Sequence, residues 1–526
     1  MKSTITNAAE ITVLAPIDNT YKTGGGPVSV GATVVRASKG QPGQVLKVYN
    51  STWEDVLGKP LSKKVGAHME GLRHVADAAL DCNYVNVVRV VADDAKFPSL
   101  SITSEVDGEI PAGTATGVGN SFGTEIVCGD GVAMAIWVVD GDASTNRTVK
   151  ITNIDDDKER FTISFYDKND VGDTYLMESY EVGIGETDKD DMGLPAFIET
   201  VLENNSDCFR CDYDTDVSWA KFSVAAAGEL SVGVSFTGGT AGGEPTTTDW
   251  EDAWDLFRNE KVAADLMFAA GNLDTDVLAN CIEIAELRHC SFFFDASPAI
   301  KHDAAITWLS DAGLESRQAA CYHAPYSASD KYYGGKTVWG VSGEVAAACA
   351  RGDANYTGSI PGIHYAPAGE KRAKLKRTGV TPLFPNDILD RDALYDARLN
   401  PVTGSPNGGA VVDDCLSLYY KSNYSRFIWV NRIMNYIDHR FLEAAASAKF
   451  EPDGLTYKIL YRLTKAILDD LVTSGALVEP RDPDVDGTNP YILEVEQKEI
   501  DLWLVTWKVC PTGSARRIAG QPILVK

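Results

Sequence analysis

Histidine is scarce in this chain, with 7 among 526 residues, which leaves little material for acid–base or metal chemistry. His68 and His74 lie six apart on one expected helix, a spacing that puts them on different faces and makes shared ligation poor. Ten cysteines occur without a framework. The one close pair, Cys208-Phe-Arg-Cys211, lacks the second CxxC or HxxxH that four zinc ligands require, so these thiols are expected to be buried small hydrophobes. Long apolar runs are missing too. Val132–Val139 is the longest, far short of the roughly 20 residues of a membrane span. The opening residues show neither an apolar h-region nor a small-residue cleavage site, so the expectation is a protein made and folded in a cytoplasm, with no membrane partner.

Recognisable catalytic motifs are equally thin. Gly340-Val-Ser342-Gly343 resembles half of a nucleophile elbow but has no second glycine at the right offset. The glycine runs Gly24–Gly26 and Gly238–Gly243 have no following Lys-Ser/Thr, so they are flexible linkers and not phosphate loops. Asp155-Asp-Asp157 lacks the spaced ligands of a calcium loop and is expected to be a solvated turn. Arg351-Gly-Asp353 matches a short adhesion tripeptide that arises often by chance. Residue chemistry therefore implies no catalytic, cofactor or metal site. By itself the composition describes a large α/β protein that assembles.

Positive charge is deficient as well. The net charge is −27, which excludes a general binder of nucleic acid or anionic membrane. The deficit is uneven: residues 1–370 carry 27 Lys/Arg against 55 Asp/Glu, and residues 371–526 carry 21 against 20. Two readings follow: an acidic surface that simply keeps subunits apart, or a last third that faces something different from what the rest faces. Hydrophobic residues at 44% and charged residues at 23% are ordinary for a folded protein, and the length implies several units.

Periodicity orders those units into a mixed α/β, multidomain chain. Residues 1–30 read as an extended N-terminal arm, too poor in apolar residues to fold alone. Residues 31–100 hold strands at Gly31–Ala37, Gln44–Tyr49 and Tyr84–Val91 and a helix at Gly66–Leu80, the first part of a βαβ core. Residues 101–245 form a β-rich inserted unit; in Phe161-Thr-Ile-Ser-Phe165 the apolar residues recur at the strand period. In residues 246–400 the helix Val277–His289 lies between the strands Leu266–Ala270 and Ser291–Phe294, a βαβ pattern that favours a parallel sheet. Residues 401–519 form a C-terminal helix-plus-sheet unit. Its first helix carries Phe427, Val430, Met434, Ile437, Phe441, Ala444 and Ala448 along one stripe; a second runs from Leu455 to Thr473, and a hairpin pairs Tyr491–Val495 with Asp501–Val509. Residues 520–526 form a C-terminal arm ending in a short strand.

Ordered motifs along some 440 residues give the chain a resemblance. Val34-Val-Arg-Ala-Ser-Lys39-Gly40 with Trp53, Glu54 and Leu57-Gly58 opens it, and Val87-Val-Arg89-Val90 follows. Phe161–Tyr166, Met177–Val182, Phe197–Ser206 and the Asp249-Trp250…Ala253-Trp254 segment continue it. Ala319–Pro325, Val341–Asp353 and Pro361–Gly369 form its strongest block, and Phe450-Glu-Pro452-Asp453 with Ser474-Gly475-Ala476-Leu477 closes it. In this order they resemble the tail sheath proteins of contractile phage tails and related injection machines. Val411-Val-Asp-Asp-Cys-Leu416 departs from the family, where many members have a Trp-Gly-Arg-Thr-like turn.

The resemblance implies a structural subunit of a virion tail, assembled in the host cytoplasm. It would polymerise around a tail tube and contract to drive that tube through the host envelope, without cofactor or catalytic residue. Its partners would be neighbouring copies, the tube protein, and baseplate and terminator proteins, with no direct nucleic-acid contact. Terminal arms would add strands to neighbours' sheets, through Ile11, Val13 and Leu14 at one end and Ile523, Leu524 and Val525 at the other. The C-terminal unit would face the tube, making Lys458, Arg462 and Lys465, which share one helical face, candidate tube contacts. The rival readings are a surface-layer or capsid-like protein and an α/β enzyme with an unrecognised site.

Overall fold

A computed structural model describes residues 29–62, 68–103, 126–128, 132–168, 172–219, 222 and 229–523. The chain divides into two compact units. Of the described residues, the larger comprises those within 29–351 and 366–428, and the smaller takes 352–365 and 429–523.

The larger unit is built on an eight-stranded sheet. Its spatial order is Ala410–Val412, Leu399–Gly404, Ala319–His323, Ser291–Asp295, Leu266–Phe268, Val30–Val35, Tyr84–Arg89 and Val45–Val48. The six inner strands are parallel, in registers such as Val30↔Tyr84, Leu266↔Ser291 and Cys321↔Leu399, and an antiparallel strand closes each edge. Parallel strands need cover on both faces, so they read as unbroken apolar runs. Val30–Val35, Ser291–Asp295 and Ala319–His323 are buried along their whole length. The helix Thr275–Leu287 makes the crossover between two of the strands and buries Val277, Leu278, Cys281 and Ile284. The βαβ expectation for this stretch therefore holds, with helix ends two residues from those anticipated.

Between Tyr84–Arg89 and Leu266–Phe268 the chain forms two antiparallel sheets. One contains Ser99–Thr103, Val132–Val138 and Phe209–Tyr213; the other contains Val234–Ser235, Thr148–Asp155, Arg160–Lys168 and Thr174–Gly183. Phe161, Ile163 and Phe165 are fully buried, as their alternation requires, and Phe165 stacks on Phe209 at 4.0 Å between ring centroids. Arg147, buried among them, is neutralised by Asp140 at 2.5 Å and Asp142 at 3.3 Å.

Three local expectations need correction. His68 does not share a helix with His74: it stands in a turn with φ 58° before the helix Gly71–Ala79, its ring against Trp250 at 4.6 Å. Gly238–Gly243 is no loose linker. Thr240 exchanges both backbone hydrogen bonds with Lys96, Thr237 does the same with Ser99, and a side chain on Gly239 would meet the Ala143 carbonyl at 2.3 Å. Its glycines serve close packing, which composition cannot distinguish from slack. Residues 401–428 lie in the larger unit, because Leu399–Gly404 joins the main sheet and Ala410–Val412 closes its edge.

Gly343 marks a close backbone approach between two of these elements. A Cβ there would lie 2.2 Å from the carbonyl oxygen of His74. Gly343→Ala is expected to destabilise the larger unit by about 1–3 kcal/mol through forced backbone separation, seen as a lowered melting temperature. An unchanged melt would show that the helix Ser342–Asp353 has room to shift.

Candidate functional site

The smaller unit carries the surface that sequence reasoning singled out. Its first long helix, Ile428–Ala448, buries Ile433, Ile437 and Ala444 against Leu468 and Leu471 of the second, Asp453–Thr473, and against Ile360 and Ile363. Pro452 sets the start of the second helix, and Gly475 (φ 78°) follows its end. The hairpin Tyr491–Gln497/Trp503–Val509 lays Tyr491, Leu493, Trp507 and Val509 on this core. Among the described residues its sheet is two strands wide, so an edge of each strand keeps main-chain donors and acceptors open. Of the arm candidates, Ile523 is 80% exposed and in no strand, whereas Ile11, Val13, Leu14, Leu524 and Val525 lie outside the described residues.

Lys458, Arg462 and Lys465 do share a face of the second helix, opposite buried Leu460, Ile467 and Leu471. They are not equivalent. Lys458 and Arg462 are exposed and make no ion pair among the described residues. Lys465 is bound at 2.6 Å to Asp469, whose other oxygen accepts the Tyr491 hydroxyl at 2.5 Å. The Asp469 contact raises the Lys465 ammonium above its ordinary range. Beside the two open cations stand Tyr457 and Tyr461, rings stacked at 5.9 Å, with Trp503 at 6.3 Å from Tyr457. Sequence reading missed these aromatics, which share the helical face at i, i+4 and would have been visible at that spacing.

Further buried polar groups resemble chemistry without offering access. Ser342 Oγ lies 3.1 Å from His74 Nδ1, and His74 Nε2 lies 3.5 Å from Glu70 Oε2, an arrangement like a hydrolytic triad. Ser342 and His74 are both 0% exposed, so no substrate reaches them. Asp295, also buried, accepts the backbone N–H groups of Val341 and Ser342 at 2.7 and 2.9 Å and so caps the helix that begins at Ser342. Ser342 and His74 are 268 residues apart, a contact that no local spacing reveals. Arg377 bridges Asp77 and Glu344 at 2.9 Å each; burial and the nearby Asp77 nevertheless push the Glu344 carboxyl up to about 7. Burial raises the thiols of Cys208 and Cys211, keeping them protonated. Asp155 and Asp156 serve the fold: Asp155 accepts the amides of Asp157 and Lys158, and Asp156 accepts the Trp219 indole N–H. Among the described residues no three His, Cys, Asp or Glu side chains gather as a metal would need, and no helix is long and apolar enough to cross a membrane.

The fold is that of a sheath tail protein. The sheath tail protein of Desulfitobacterium hafniense superposes on 95% of this chain and over 100% of its own length, with a TM-score of 0.52 at 14% identity. Weaker likenesses, at TM-scores of 0.41 and 0.39, are to the PVC sheath of an extracellular contractile injection system in its contracted state and to the contracted helical sheath of the anti-feeding prophage. They share 18% and 19% identity, cover 53% and 55% of this chain, and span 75% and 77% of theirs. No family model and no curated protein matches the sequence.

The Arg351-Gly-Asp353 tripeptide is no surface motif. Asp353 is 1% exposed and receives Arg432 through two hydrogen bonds, of 3.0 and 2.8 Å, inside the smaller unit. Arg351 donates to Asp81 and to the Arg372 carbonyl. Removing one member of such a buried pair strands the other charge. Asp353→Ala is expected to destabilise the smaller unit by about 3–5 kcal/mol, measured by chemical denaturation. A loss below about 1 kcal/mol, the range of exposed pairs, would mean that water reaches Arg432.

Proposed function

We propose that this chain is a structural subunit of a contractile tail sheath, polymerising as a helix around a tail tube and shortening to drive that tube through an envelope. The observation that carries this reading is the likeness to a sheath tail protein over nearly the whole of both chains. Such a machine stores its energy in assembly, so it needs neither a nucleotide nor a catalytic group. The buried, inaccessible state of Ser342 and His74 agrees with that.

In this reading neighbouring copies are joined by strand addition. A two-stranded sheet is marginal by itself and gains main-chain hydrogen bonds when arms such as residues 11–15 and 523–525 pair with it. The division into arms (1–30, 520–526), core (31–100 and 246–428, with 401–428 returned to it by the main sheet), outer β-rich unit (101–245) and tube-facing unit (429–519) belongs to the same proposal. So do the tube, baseplate and terminator as partners and assembly in a host cytoplasm. Lys458 and Arg462 supply the attraction to an acidic tube surface. Lys465, already neutralised by Asp469, contributes position more than charge.

Purified protein is expected to form hollow tubes without nucleotide or metal, visible by negative-stain microscopy. Protein that stays monomeric at high concentration in moderate salt would count against the sheath reading. Deleting residues 1–16 or 520–526 is expected to leave circular dichroism and melting nearly unchanged while abolishing tube growth; normal tubes from either truncation would dismiss strand exchange at that end.

Replacing Lys458 and Arg462 with Glu is expected to preserve the melt and tube-free polymers but to prevent co-assembly on the tail tube, with a defect that eases as salt rises. Adding Lys465→Glu places a third carboxylate beside Asp469 and should lower the melting temperature as well. Normal tails from the double variant would make this face merely solvated.

A further inference from the structure

We propose that His302 and His323 form an acid latch: the pair takes up one added proton with the hydrogen bond between its rings intact, and arrival of a second releases the junction made by residues 297–302 and 383–390. This inference does not depend on the sheath reading.

His323 ends the inner strand Ala319–His323, and His302 begins the helix His302–Ala312. Both are buried, at 0% and 7% exposure, and their rings meet edge to face with Nδ1 against Nδ1 at 2.9 Å. The other ring nitrogen of His323, Nε2, lies 3.1 Å from the carbonyl oxygen of Ile300. A carbonyl only accepts, so Nε2 carries the hydrogen. Neutral His323 therefore has a bare Nδ1, which accepts, and the facing Nδ1 of His302 donates.

The network thus fixes both tautomers and sets a limit on protonation. A first proton from solvent binds His302 at Nε2, and the shared hydrogen bond survives with the imidazolium as donor. A second proton has only His323 Nδ1 left, which would set N–H against N–H at hydrogen-bond distance. The pair must then separate.

The surroundings decide what separates. Asp387 Oδ2 accepts the backbone N–H of His302 at 3.1 Å, tying residues 383–390 to the start of the helix. Ile300 and Leu389 pack onto the main core from the two sides of this junction. The charges acting on the pair are Asp387 from that segment and Asp303 on the helix, both of which favour the charged His302; the neighbouring Lys301 is exposed. Two carboxylates help the first proton and leave the donor–donor conflict of the second unresolved. Burial and the neighbouring His302 push His323 down to about 4. A depressed folded value gives stability that is fully present above the ordinary 6.5 and is lost as pH falls through about 4.

The test is hydrogen exchange with mass spectrometry on the full chain from pH 7.5 to 4, corrected for intrinsic rates. Peptides covering 297–304, 320–326 and 383–390 are expected to open together, at least about tenfold, the factor of one pKa unit. A peptide covering 278–286 should stay closed in that window. Glutamine at position 302 can turn its carbonyl toward a protonated His323, so His302→Gln is expected to move the step down by at least about one pH unit. No step in the wild type, opening shared with 278–286, or an unmoved step in the variant would overturn the latch. Should the variant fail to fold, 15N spectra of the wild-type histidine side chains at pH 7.5 decide. Hydrogen on Nε2 of His323 and Nδ1 of His302 supports the proposal, and any other tautomer pair refutes it.

Discussion

A parallel sheet must be covered on both faces, and most of this molecule follows from that constraint. Six strands run in parallel, so each connection between neighbours crosses a face with enough chain to shield it. Helices such as Thr275–Leu287 and His302–Ala312 do this between adjacent strands. The longest connection, from Tyr84–Arg89 to Leu266–Phe268, instead carries the two antiparallel sheets. Antiparallel strands at both margins then end the parallel array with edges of different geometry.

Covering the sheet so completely brings polar groups inside, where each needs a partner. Ser342 with His74, and Arg377 with Asp77, join residues far apart in the chain. They look like reaction centres because burial and mutual contact are also what catalysis uses. What separates Ser342 and His74 from one is access, since both are fully buried. Their role is positional: Asp295 caps the helix at Ser342, and Gly343 lets that helix touch the backbone of His74.

Much of this architecture was legible in the sequence for one physical reason: burial imposes a period. The apolar runs at 266–268 and 291–295 and the stripe along 428–448 each appear within a few residues of where periodicity puts them. Partnership between distant residues leaves no such trace. Hence Arg432 with Asp353, the two facing histidines, and the return of residues 401–428 to the main sheet were invisible locally. Glycine misled in a particular way. At 238–243 it permits backbone to lie against backbone, and composition reports only the missing side chains. The basic face was legible as a spacing, but its unequal charges emerged only with Asp469 and Tyr491 in place.

The hairpin at 491–509 has a further consequence. Its outer face places Ile492 across from Lys508, Glu494 across from Thr506, and Glu496 across from Leu504. Each exposed aliphatic side chain therefore sits beside a charged one, the pattern by which open-edged strands resist sticking to whatever strand they meet. Glu494, Glu496 and Lys508 thus keep charge on the exposed face of the hairpin, so an apolar strand that comes up laterally meets charge together with the edge.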